Sequence, residues 1–104
     1  MSARIEMLNE MLKAEPNDPF LHYALALEFE KAEQIHKAIT SLENLKSQQP
    51  EYLPTNYKLG KLYELILNNI AAIEVYKLGV ILAKKTNEMK TLGELNEAIM
   101  NLED

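Results

Sequence analysis

The chain has 104 residues, room for one domain, and at 47% hydrophobic and 26% charged its composition is that of a globular rather than a disordered protein. Its 11 Lys and Arg against 16 Asp and Glu leave a net charge of −5, which offers no basic patch to a nucleic acid. The absence of cysteine excludes disulfides, a thiolate nucleophile and cysteine-ligated metals. It also fits a reducing compartment. With no signal-like start and no apolar run of membrane-spanning length, the expected location is cytoplasmic.

Apolar spacing predicts six helices and no strand. The first, residues 3–14, carries Ile5, Leu8, Met11 and Leu12, and the stripe Met1, Ile5, Leu8 and Leu12 is expected to form an exposed apolar face. The second, 19–32, is apolar on nearly every side through Phe20, Tyr23, Leu25, Ala26, Leu27 and Phe29. Asp18-Pro19 marks its start, because the carboxylate accepts from an orphan amide and proline has no amide to leave unpaired. The third, 35–48, has Ile35, Ala38, Ile39, Leu42 and Leu45; the fourth, 54–67, has Tyr57, Leu59, Leu62, Tyr63, Leu65 and Ile66. Asn68 and Asn69 are expected in the following turn, since Asn tolerates the left-handed conformation. The fifth, 69–85, runs through Ile70, Ala72, Ile73, Val75, Tyr76 and Val80. The sixth, 88–102, has Met89, Leu92, Leu95, Ile99 and Leu102, with Thr86 and Asn87 as its expected caps.

Pro16 and Pro50 stand 34 residues apart, and the chain slid against itself by that interval matches itself. Arg4, Ala38 and Ala72 align, as do Ile5, Ile39 and Ile73, and Leu8, Leu42 and Tyr76. Tyr23 meets Tyr57, Leu25 meets Leu59, Ala26 meets Gly60 and Phe29 meets Tyr63. Small residues fall on small ones and rings on rings. Two antiparallel helices pack closely only where small residues face the crossing. Ala26 and Gly60 supply that on the first helix of each pair, Ala38 and Ala72 on the second.

This pattern resembles the tetratricopeptide repeat, Trp-x2-Leu-Gly-x2-Tyr, then Ala-x3-Phe, then Pro. The first copy reads His22-x2-Leu25-Ala26-x2-Phe29, Ala38-x3-Leu42, Pro50; the second reads Asn56-x2-Leu59-Gly60-x2-Tyr63, Ala72-x3-Tyr76, with Lys84 in place of proline. His22 and Asn56 replace the tryptophan, and Glu33-Gln34 lacks the glycine usual between paired helices. The resemblance implies an all-α, antiparallel helix-pair solenoid spanning 1–104. Residues 3–16 would be a half-repeat helix, 19–52 and 53–86 two repeats, and 87–104 a capping helix. Leu92-Gly93-Glu94-Leu95 aligns with Leu59-Gly60-Lys61-Leu62 at an offset of 33.

No enzymatic constellation accompanies this pattern. His22 and His36 lack ligand spacing, Ser2, Ser41 and Ser47 sit in no nucleophile motif, and Gly60, Gly79 and Gly93 are isolated. Glu28 with Glu30 and Glu94 with Glu97 read as solvated faces. No metal, cofactor, nucleic acid or membrane is expected.

What the resemblance implies instead is a protein or peptide partner, held in a concave groove lined by the first helix of each pair. Residue by residue, this places Phe20, Tyr23, Leu27, Glu30 and Lys31 in the groove, then Pro54, Tyr57, Lys61, Glu64 and Leu65, then Lys90, Glu94 and Glu97. For Phe20 and Leu27, packing against the first helix competes with that reading. Relatives that clamp the carboxylate tail of chaperones use Lys and Asn where this chain has Tyr23 and Leu27, so a chaperone-tail receptor is not expected. The alternative is a structural module that forms homo-oligomers through its exposed terminal helix.

Overall fold

The structure is a computed structural model that describes residues 3–103; Met1, at the end of the first apolar stripe, lies outside them, as do Ser2 and Asp104. The helices are α1 (Ala3–Ala14), α2 (Pro19–Lys31), α3 (Ile35–Gln48), α4 (Pro54–Leu65), α5 (Asn69–Lys85) and α6 (Met89–Glu103). Each begins and ends within two residues of its predicted bounds, and no strand occurs among the described residues. The helices group into two compact units, one ending at Tyr52 and the other beginning at Leu53. In the first, α2 packs against both α1 and α3; in the second, α5 packs against both α4 and α6.

Helix ends follow local chemistry. Asp18 caps α2, its Oδ1 accepting from the Phe20 amide at 2.9 Å, with Pro19 next in line. Asn68 caps α5, its Oδ1 accepting from the Ala71 amide at 3.2 Å. The left-handed residue before α5 is not an asparagine but Leu67, with φ of 61°; Glu33 and Asn87 have φ of 60° at the ends of α2 and α5. All three turns close the same way. The Gln34, Asn68 and Glu88 amides donate to the carbonyls of Phe29, Tyr63 and Ala83, and the preceding amides donate to Glu30, Glu64 and Lys84. This double closure satisfies the carbonyls a helix end leaves orphaned. Thr86 and Asn87 therefore finish α5 rather than cap α6. Thr86 Oγ1 lies 3.0 Å from the Leu82 carbonyl, onto which it folds back.

The core of the first unit gathers Leu8, Leu21 and Leu25, with Ile5, Leu12, Ala24 and Phe29 packed around them. This corrects the expectation of an exposed terminal stripe: Ile5, Leu8 and Leu12 face α2, and Met7 and Met11 are the exposed apolar residues of α1. Between α2 and α3, Ala26, Ala38, Ile39 and Leu42 are buried. Glu28, read as solvated, is only 9% exposed; its Oε2 accepts from Arg4 Nε at 3.1 Å and lies 3.9 Å from Lys31 Nζ. Arg4 occupies the position that Ala38 and Ala72 hold in the other copies, so a long cation on α1 meets the carboxylate on α2.

The second unit buries Leu53, Ala72, Tyr76, Ala83, Leu95, Ala98 and Ile99, with Tyr57, Tyr63, Val80, Leu82, Leu92 and Leu102 against them. A Cβ on Gly60 would sit 2.6 Å from Tyr76 Cδ1 and closer still to Cε1 and Cζ, so the ring fills the space a side chain would need. Gly79 makes room similarly, its missing Cβ 2.8 Å from Asn56 Cβ and 3.0 Å from Leu95 Cδ1. Gly93 does not: nothing lies within 4 Å of a Cβ there, so the sequence match to Gly60 carries no crossing into α6. Ile70 and Met89, counted on core stripes, are exposed at 78% and 62%.

Candidate functional site

The tryptophan positions of the pattern hold polar side chains with local roles. His22 Nε2 makes a 2.6 Å hydrogen bond with the Pro16 carbonyl, fixing the α1–α2 turn onto α2. Asn56 is buried, and its Nδ2 donates to the Val75 carbonyl at 3.0 Å, tying α4 to α5. His36 is exposed. No group of three or more metal-ligating side chains comes together among the described residues, and none of their helices is long and apolar enough to cross a membrane.

On α2, Tyr23, Leu27, Glu30 and Lys31 follow the i, i+4, i+7, i+8 spacing of one helix face. Leu21, Leu25, Ala26 and Glu28 hold the buried side. Tyr23 is half-buried, with its ring 6.0 Å from Tyr52 in an edge-to-face arrangement at 67°. Burial raises the Tyr23 phenol above its usual range, with smaller contributions from Tyr52 and Glu30; burial also raises Tyr52, with Asp18 adding to it. Phe20 is 62% exposed and Leu27 is half-buried.

On α4, Tyr57, Lys61, Glu64 and Leu65 repeat the same spacing, and here the side chains form a connected strip. Lys61 Nζ stands 5.2 Å above the centre of the Tyr57 ring, and Nζ is 3.8 Å from Glu64 Oε2. Glu64 in turn accepts from Tyr76 Oη, and the Tyr57 and Tyr76 rings lie 6.1 Å apart. The Tyr76 phenol is pushed far up, first by burial and then by its bond to the Glu64 carboxylate. Leu65 and Pro54 are exposed at the two ends of α4. Lys90, Glu94 and Glu97 are exposed on α6.

Two tyrosines position these strips in ways that the sequence pattern does not show. Tyr52 lies in the connection after α3, where no periodicity marks it. Tyr76 reads as core, and it is core; its hydroxyl nevertheless reaches Glu64, a second role that apolar spacing cannot show.

The chain is similar to a tetratricopeptide repeat domain protein from Salinibacter ruber, solved in solution, at 39% identity over 85% of this chain and 89% of that one, with a TM-score of 0.81. A protein from Bordetella parapertussis has a TM-score of 0.82 at 22% identity, covering 98% of this chain and 89% of that one. The TPR2B domain of yeast Sti1, solved as a pHsp70 complex, has a TM-score of 0.86 at 14% identity, covering 95% of this chain and 79% of that one. No family model and no curated protein matches the sequence.

Proposed function

Because the chain belongs to the tetratricopeptide repeat family, we propose that it is a non-catalytic protein-interaction module whose peptide-binding surface is carried by the first helix of each 34-residue copy. The observation that carries this reading is the strip on α4. Tyr57, Lys61 and Glu64 are all half-buried yet remain accessible, and each is held by a neighbour before any ligand arrives. Preorganised side chains lose little freedom on binding, so their contacts are not spent on ordering the surface. Tyrosine suits such a role, presenting a broad ring and a polar tip on two rotatable bonds. The same residue recurs at the same helical position on α2, as Tyr23. The Tyr23 and Leu27 positions hold no cation, so a segment lacking a dense terminal carboxylate cluster fits α2 better than a chaperone tail.

Panning a random peptide library against the purified chain tests the reading. Selected peptides are expected to lose at least about tenfold in affinity for Tyr57→Ala or Tyr23→Ala, with helical circular dichroism unchanged. Lys61→Ala should cost less, and its effect should shrink with added salt. Peptides that bind both tyrosine variants at parental affinity would overturn the assignment.

A further inference from the structure

Five of the exposed side chains of α5 share one face away from the core of the second unit, Ile70, Glu74, Lys77, Leu78 and Ile81, with Lys85 at the C-terminal end of that face. At 3.6 residues per turn they fall within about 100° of arc, opposite the buried Ala72, Tyr76, Gly79 and Ala83. Ile70 is 78% exposed and Ile81 65%. The positions 34 residues earlier, on α3, hold His36, Thr40, Glu43, Asn44 and Ser47. A helix of the same kind in the same chain thus tolerates a polar outer face, so the helix pair does not itself require apolar residues there. Three exposed large apolar residues, Ile70, Leu78 and Ile81, grouped with charges on one helix face are the kind of patch that meets a partner.

The order of these residues is its own complement. Measured from the midpoint between Val75 and Tyr76, Ile70 and Ile81 stand equally far in opposite directions, and so do Glu74 and Lys77. Two copies of α5 laid antiparallel about a two-fold axis through that midpoint set Ile70 of one copy on Ile81 of the other. The same operation sets Glu74 on Lys77, and each contact occurs twice. We propose that this face of α5 is the interface of a homodimer, an antiparallel pairing of α5 with its symmetry mate. Lys77 is already drawn toward α6, with Nζ 3.3 Å from Glu103 Oε2, while Glu74 makes no ion pair among the described residues. In the dimer Glu74 gains a cation, and Lys77 bridges two carboxylates. The apolar contact supplies attraction and the charges fix direction and register. Three turns of one helix per copy make a small interface, below the roughly 1,200 Å² of a standard complex, so the dimer is weak and concentration-dependent.

Sedimentation velocity of the whole chain between about 10 µM and 1 mM tests this, a range that brackets weak association. The parent is expected to pass from monomer to dimer, and Ile81→Glu to remain monomeric throughout. Glu74→Lys and Lys77→Glu should each raise the dissociation constant at least about tenfold, because each places two pairs of like charges face to face. An equimolar mixture of those two variants should associate again, since every cation then meets an anion across the axis. A parent that stays monomeric at every concentration, a dimer indifferent to Ile81→Glu, or a mixture that fails to associate would overturn the proposal. Peptide binding by α2 and α4 is read separately, so either result stands without the other.

Discussion

The two units solve the same helix crossing with different side chains. The first places Ala26 on α2 and Leu42 on α3; the second places Gly60 on α4 and Tyr76 on α5, at the same positions of the 34-residue period. A methyl lost from one helix makes room for a ring on the other, and all four residues are buried. A second exchange is chemical. Leu62 is fully buried on α4, whereas its counterpart on α2 is Glu28, buried against Arg4. The repeat therefore constrains the joint volume and the net polarity of a contact, and leaves the individual residue open wherever a neighbour can compensate. Close packing asks for complementarity and not for a fixed residue type.

The largest effect is expected where that compensation is broken in the second unit. Gly60→Ala drives a methyl into the Tyr76 ring and should cost about 3 kcal/mol in urea unfolding, the upper part of the overpacking range. Combining it with Tyr76→Leu recreates the Ala26–Leu42 pair of the first unit and should recover more than half of the loss. A double variant no more stable than the single one would show that the two crossings are not interchangeable. Ala38→Leu and Ala72→Leu, at positions with no exposure, should each cost about 2 kcal/mol and match one another in thermal melts. Next comes the charged pair. Arg4→Leu leaves Glu28 buried with only the more distant Lys31 and should cost about 1 kcal/mol, a modest figure because Arg4 is largely exposed. Adding Glu28→Leu should restore the parental stability or exceed it, since an apolar contact needs no desolvation of charge. The smallest effects are gains. Glu33→Gly and Leu67→Gly remove a side chain from the left-handed conformation and should each add about 0.5–1 kcal/mol, with Asn87→Gly adding less because Asn tolerates that conformation.

These contrasts also separate what the residue order reveals from what it conceals. Helix bounds are legible because stripes such as Ile35, Ala38, Ile39 and Leu42 repeat at helical spacing and because Asp18-Pro19 leaves little else for the backbone to do. The crossings are legible because two copies can be compared. Glu28 is not, since a carboxylate on a helix reads as solvated unless its partner is known, and Arg4 lies 24 residues away. The direction of the Ile5, Leu8 and Leu12 stripe is not legible either: a stripe shows that a face is apolar, and only the position of α2 decides what covers it. The same limit put Ile70 in the core. Left-handed Glu33 and Leu67 carry no signature, because the closing bonds are made by backbone amides that every such residue has. For the interaction surface, spacing shows that Tyr57, Lys61 and Glu64 share a helix face. That Tyr76 holds the last of them from behind depends on a contact between helices.

The turns at residues 32–34, 66–68 and 86–88 have a consequence for how quickly the molecule assembles. Each joins two helices that pack on one another, so the partners in most contacts are near in the chain, and little entropy is lost in closing the loop between them. Chains whose contacts are this local fold in microseconds to milliseconds, orders of magnitude ahead of sheets of equal stability. At about 10 µM, orientation-limited docking takes on the order of 10 ms or longer, so a helical hairpin of this kind is complete before a neighbouring chain docks on it. The exposed apolar face of α5 then meets other molecules only as part of a finished helix, and a surface that would endanger a slow folder is carried here at low risk of aggregation.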